Sequence, residues 1–244
     1  MAADPGNEKV IQMLFKTGAV RVCQEGKPFW YTSGTIGPYY INTHFLLDGE
    51  KQAQSLLDFI DGELQNRSGL PGRLLVRVKQ VYDRNGVFRQ LMDLLTEKVQ
   101  TMLPSDAYDA VSGGERRDWL FSLMAAVLLQ KPHVTFYKDL SAVLTHGPDH
   151  DRDEPGVDLG TAGPGPVHGM RLLHIADLLN EASSFTRAWI PAARALQARM
   201  DDALVIVDRG QGGKALLSEA GTRLHTLAAA GDEMFQRAFS LGWV

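Results

Sequence analysis

The chain has 244 residues, 44% of them hydrophobic, and a formal net charge of −4. Such a composition supplies ample material for a core, and acids and bases mixed along the chain give no support to a nucleic-acid-binding surface. No run is apolar long enough to span a bilayer, and the opening "MAADPGNEKV" lacks the basic-then-apolar layout of a signal peptide, so no membrane and no export route is expected. A single cysteine, Cys23, excludes an internal disulfide. It suits a reducing cytoplasm, as a buried small apolar residue rather than a nucleophile.

Residues 7–16 place Val10, Ile11, Leu14 and Phe15 at helical spacing, which predicts a short amphipathic helix. From 19 to 47 the texture changes. Alternation in "AVRVCQ" and the aromatics of "FWYTSGTIGPYYINTHFLL", set around Ser33-Gly34 and Gly37-Pro38, predict two or more strands joined by a turn. Helical spacing returns over 50–65 through Ala53, Leu56, Leu57 and Ile60. Pro71 marks the start of another helix carrying Leu74, Val78 and Val81, and 86–103 a third through Val87, Leu91, Leu94 and Leu95.

The second half alternates. Strands are expected at 108–111, 133–137, 171–176, 203–208 and 223–228, with helices over 119–129, 183–198 and 213–220 and a last one after Gly231. Repeated strand–helix units predict an α/β fold with a parallel sheet and helices on both faces, and ligands then gather at the carboxyl ends of the strands. Residues 147–169 hold ten Gly or Pro and no apolar period, which predicts a mobile lid or insert over about 142–168. Its His146, Asp149, His150, Asp151 and Asp153 imitate a metal site, but their spacing fits no rigid ligand set.

Three strand ends carry candidate chemistry. In "VSGGERRDW" a strand is expected to end at Ser112; Gly113 and Gly114 would bring backbone amides to an anion, and Arg116 and Arg117 offer donors suited to phosphate oxygens. The bland alternative is a glycine turn with two solvated arginines. In "LLHIADLLNEASSF" Asp177 is expected at a strand end, placed to accept hydrogen bonds from sugar hydroxyls. Ala182-Ser183-Ser184 would follow as a small-residue phosphate cradle. Otherwise Asp177 caps a helix and the serines merely open it. Glu181 favours that alternative, because a carboxylate beside a phosphate repels it unless it points away. In "VIVDRGQGG" Arg209 can grip a planar carboxylate, or pair with Asp208 as a brace.

Taken together these segments resemble the orotate phosphoribosyltransferase family from about residue 17 to 228. "TGAVRV…FWYTSGTIGPYY" is similar to its N-terminal hood, usually G-A…F-x-L-K-S-G-R-x-S-P-Y-Y. "VSGGERRD" falls at its pyrophosphate loop, "FYKDLS" at the start of its catalytic loop, and "LLHIADLLNEASS" at its phosphoribosyl pyrophosphate motif. "VIVDRGQGG" falls at the D-R-x-x-G-G strand end. The resemblance implies a single phosphoribosyltransferase-type domain over 1–244, with a hood at about 17–47. It also implies a homodimer and Mg²⁺-dependent transfer of 5-phosphoribose from phosphoribosyl pyrophosphate to orotate. It gives Asp177 the ribose hydroxyls and Lys138 a place in the catalytic loop. Asn180, Glu181, Ala182, Ser183 and Ser184 would surround the 5′-phosphate, and Ser112, Gly113, Gly114, Arg116 and Arg117 would face the pyrophosphate. Arg209 would take the orotate carboxylate, with Tyr39 and Tyr40 contributed by the hood. Departures are plain: Ala176 replaces the first acid, Asn180 and Glu181 replace two threonines, and Ala182 replaces a glycine. Thr32, Thr35, Tyr137 and Ser141 stand where the family carries cations. Two alternatives remain: a binding or regulatory protein that keeps the fold without the chemistry, and a transferase for another base.

Overall fold

Five parallel strands form the frame that places the candidate residues other than Tyr39 and Tyr40. The computed structural model describes residues 5–24, 26–30, 36–146, 155–163 and 165–243. Ser33, Gly34 and the hood positions Thr32 and Thr35 lie outside them, as do Asp149, His150, Asp151 and Asp153.

Helix α1 (Pro5–Lys16) precedes a small antiparallel layer: β1 (Val20–Val22) pairs with β4 (Tyr39–Ile41), and β2 (Phe29–Trp30) with β3 (Ile36–Gly37). A 3₁₀ turn, Thr43–Leu46, follows it. Then come α2 (Gly49–Glu63), α3 (Leu70–Arg84) and α4 (Gly86–Met102). Helix α3 buries Leu70, Leu74, Val78 and Val81 as one stripe. Asn85 starts α4, its side chain accepting from Phe88 N at 2.7 Å.

The main sheet runs β11-β10-β9-β5-β6-β7-β8. Its parallel part is β5 (Ala110–Gly114), β6 (His133–Phe136), β9 (Arg171–Leu179), β10 (Arg199–Asp208) and β11 (Arg223–Ala229). The interior of β9 and of β10 is almost wholly buried, as expected of strands covered on both faces. Two apolar clusters do the covering. One joins α1 to α4, α5 (Trp119–Leu128) and Met234 of α8 (Asp232–Ser240); the other joins α6 (Ile190–Ala195), the turn before it and Leu217 of α7 (Gly213–Glu219).

Several expectations need correction. Residues 142–145 and 157–160, expected within a mobile insert, form the strands β7 (Ala142–Thr145) and β8 (Val157–Gly160), antiparallel to their neighbours, so the sheet is mixed; 147–154 of that insert lie outside the described residues. Strand β5 begins two residues later than expected and runs through Ser112 to Gly114. Strand β9 continues past Asp177 to Leu179, so Asp177 is neither at the strand end nor a helix cap. The helix expected over 183–198 is present over 183–195, with a π-helical stretch, Phe185–Trp189, inside it ahead of α6. Pro191, which has no N–H to donate, sits at the start of α6. Cys23 is half-buried rather than buried.

From β5 the chain crosses to β6 on one side; from β9 it crosses to β10 on the other. The loops leaving β5 and β9 therefore diverge and open a crevice at the switch point of the sheet, the usual place for a ligand.

Candidate active site

A cleft of about 650 Å³ occupies that crevice. Its floor is the end of β9 with the turn Asn180–Ser184, one wall is the 115–118 loop, and Tyr40, Asn42 and His44 form the roof. Asp177, Lys138, Arg116, Arg117, Asn180, Ala182, Ser183, Ser184 and Tyr40 all line it.

Asp177 is 4% exposed. Its Oδ2 accepts from Thr43 Oγ1 at 2.5 Å and lies 3.2 Å from Arg117 Nε. Burial pushes this carboxyl up to about 6; the neighbouring Asp118 adds to the rise, while Arg117 and Thr43 oppose it. Asp177 in turn raises the Arg117 guanidinium. Asp118 ties the two strand ends together. Its Oδ1 accepts from Asp177 N at 2.9 Å, and its Oδ2 from Gly114 N at 3.3 Å.

Each cation of the cleft faces a carboxylate. Arg116 pairs with Asp61 of α2, Arg117 with Asp177, and Lys138 Nζ lies 3.7 Å from Glu115 Oε1. Glu115 Oε2 also accepts from Lys138 N at 3.0 Å. The turn at 180–184 carries a non-glycine residue in the left-handed region, Ala182 at φ +54°, at the position where the resembled motif has glycine. Ser183 and Ser184 are exposed at the start of the helical turn, whose first amides have no partner within the helix.

Other predicted residues stand elsewhere. Ser112, Gly113 and Gly114 are strand interior and do not line the cleft. A Cβ on Gly113 would sit 2.1 Å from Ser122 Oγ and one on Gly114 2.2 Å from Trp189, so both glycines serve close packing. Glu181 is exposed and off the cleft, which removes its conflict with a phosphate. Arg209 and Tyr39 also lie off the lining; the Arg209 guanidinium sits 5.0 Å from the Tyr39 ring, which packs on Phe235 at 4.4 Å. Asp208 Oδ1 accepts from Gly210 N at 2.9 Å.

Sequence reasoning missed Asp118, Thr43, Asn42 and His44. The polar run "NTH" inside an otherwise apolar stretch was the available signal. His44 is held down at about 4, first by burial and then by Arg117 and Arg116. Beneath the floor, His174 is wholly buried with Nδ1 3.0 Å from Ser112 Oγ and Nε2 3.8 Å from Asp118 Oδ2. His133 bridges Ser122 and Thr135, and burial, with the charge of His174, pushes it down to about 3.

Among the described residues no cluster of His, Cys, Asp and Glu is suited to hold a metal ion, and His146 joins none. Asp177, the deepest carboxylate of the cleft, already faces Arg117 and Thr43. These side chains do not make a site for Mg²⁺.

The architecture is that of the type I phosphoribosyltransferases: a mostly parallel sheet with an added N-terminal layer over its carboxyl end. No protein-family model matches the sequence, and no curated protein sequence does. Solved structures share its fold. The orotate phosphoribosyltransferase of Aeropyrum pernix is 23% identical, with 96% of this chain and 99% of that one covered at a TM-score of 0.57. Leishmania donovani UMP synthase is 15% identical at a TM-score of 0.60, with 98% of this chain matching 39% of that one. The Mycobacterium tuberculosis orotate phosphoribosyltransferase in complex with inorganic phosphate is 13% identical at a TM-score of 0.50, covering 93% and 96%.

Proposed function

We propose that this protein is a phosphoribosyltransferase that transfers 5-phosphoribose from phosphoribosyl pyrophosphate to orotate. The C1′–O bond to pyrophosphate breaks, the C1′–N1 bond forms, and the N1 proton of orotate goes to solvent; the products are orotidine 5′-phosphate and pyrophosphate. The observation that carries this reading is the convergence of Asp177, Arg117 and the Ser183–Ser184 turn in one cleft at the switch point of this fold. The Mycobacterium tuberculosis enzyme of the same fold, solved in complex with inorganic phosphate, supports binding of such an anion.

In this reading Asp177 accepts from the ribose hydroxyls once they displace Thr43 or Arg117. Asn180, Ser183 and Ser184 hold the 5′-phosphate. Arg116, Arg117 and Lys138 face the pyrophosphate, where they neutralise charge on the leaving group. Arg209, set on Tyr39, takes the orotate carboxylate. Mg²⁺ would be carried by the substrate rather than by these side chains, and would supply charge neutralisation beside Arg116, Arg117 and Lys138. We assign the protein to the cytoplasm, and to a symmetric homodimer whose test is sedimentation at micromolar concentration: a dimer is expected, and a monomer contradicts it.

The pairing of every cleft cation with a carboxylate favours a second reading, a phosphoribosyl-binding protein without transfer. One experiment separates them. Orotidine 5′-phosphate formation is followed with Mg²⁺ beside calorimetry of phosphoribosyl pyrophosphate. Turnover is expected; binding without turnover selects the second reading, and absence of both overturns the two together.

A further inference from the structure

His44 is 8% exposed, lines the cleft and buries its Nδ1 without a hydrogen-bond partner. Its turn is stiff. Phe45 N donates to Asn42 O at 2.8 Å, Leu47 N to His44 O at 3.2 Å, and the Phe45 ring meets the imidazole edge-on at 4.9 Å. The residue before it, Thr43, holds Asp177.

Burial first, and then Arg117 and Arg116, which line the same cleft, disfavour a positive charge on His44. The imidazole is therefore a neutral group at ordinary pH. In the Nδ1–H tautomer that buried nitrogen is an unpaired donor, which is costly. An anionic oxygen that binds the guanidinia and accepts from Nδ1–H would remove that cost.

We propose that His44 is a specificity residue of the cleft, donating Nδ1–H to an oxygen of the pyrophosphate group held against Arg116 and Arg117. This rests on the phosphoribosyl reading of the site and deepens it. With each cleft cation facing a carboxylate, a rigid neutral donor adds anion affinity without adding repulsion among the cations. The donor also distinguishes pyrophosphate esters from ligands that carry only the 5′-phosphate, because the Ser183–Ser184 turn lies on the floor and His44 on the roof.

The test is calorimetry on the full chain with inorganic pyrophosphate and, as control, ribose 5-phosphate. His44→Ala is expected to raise the pyrophosphate Kd about tenfold and to leave the ribose 5-phosphate Kd within about twofold. His44→Gln, which keeps an amide N–H, is expected to recover most of the loss. An unchanged pyrophosphate Kd, or an equal loss for both ligands, overturns the proposal. Nitrogen NMR of the wild type needs no variant: a protonated His44 Nδ1 whose resonance moves on adding pyrophosphate supports it, and an unprotonated Nδ1 or an unmoved one refutes it. His44-dependent pyrophosphate binding without orotidine 5′-phosphate formation leaves this inference standing and removes the transfer reading. Transfer with a pyrophosphate Kd indifferent to His44 does the reverse.

Discussion

Asp177 has its backbone N–H on Asp118 and its carboxylate between Thr43 and Arg117. Burial raises its pKa to about 6, so the folded state binds this proton more tightly than the unfolded chain does. The stability it contributes is full below the ordinary carboxylate range and is lost as pH rises through about 6. Asp177→Asn removes that dependence. The melting temperature of the wild type relative to the variant is therefore expected to be higher at pH 4.5 than at pH 7.5; a pH-independent difference counts against it. The same substitution tests the sugar contact. Hydrogen bonds to a charged acceptor contribute roughly 1.5–3 kcal/mol each, so phosphoribosyl pyrophosphate affinity is expected to fall about tenfold or more in calorimetry. Unchanged affinity leaves Asp177 a purely structural partner of Arg117.

Strand β5 owes its position to its glycines. Gly113 and Gly114 leave room for Ser122 and Trp189, which pack from opposite clusters, and Gly114 N is fixed by Asp118. Gly114→Ala forces its Cβ against the indole, and overpacking of this kind costs about 1–3 kcal/mol; scanning calorimetry is expected to show a lower melting temperature, and an unchanged one refutes the packing role. Ser122 also binds His133, whose depressed pKa works in the opposite sense to that of Asp177. Its contribution is full above the ordinary histidine range and is lost as pH falls from 6.5 toward 3, as the unfolded chain takes up the proton first. His133→Gln is expected to flatten the acid limb of the stability curve between those values, and an unaltered limb removes His133 as its cause. Elements with strong periodicity were readable in advance: α2 to α4 and the apolar cores of β9 and β10 follow directly from spacing. Strands β7 and β8 were not, because both are only four residues long and β8 is a largely exposed edge inside a Gly- and Pro-rich run. The glycines of β5 looked like an anion turn, since sequence does not show which side chain will press against them.

At the scale of the whole molecule the cleft was legible at the ends of β5 and β9 and at Tyr40; Arg209, at the third strand end, lies off it, and the rest of the roof was not legible. Tyr40, Asn42 and His44 come from a layer more than 130 residues before Asp177 in sequence, and only the closed fold brings them over it. The acceptor end shows the same dependence on distant segments. Arg209 follows β10, Tyr39 belongs to β4, and Phe235 belongs to α8, yet guanidinium, phenol ring and phenyl ring lie one on the next, the two rings tilted at 48°. The guanidinium is a planar fork, and such a fork matches a carboxylate with two parallel hydrogen bonds. A lysine ammonium has neither the plane nor the fork. Arg209→Lys is therefore expected to reduce orotate affinity sharply, by about tenfold or more, while phosphoribosyl pyrophosphate affinity stays within a few-fold. Uracil, which lacks the carboxylate, is the control: it should bind the wild type poorly and be indifferent to the change. If Arg209 only braces the stack, the substitution lowers thermal stability and moves both ligands alike or neither. A wild type that prefers uracil or a purine to orotate removes the orotate assignment, whatever Arg209 does, and leaves a phosphoribosyl site whose acceptor is another base.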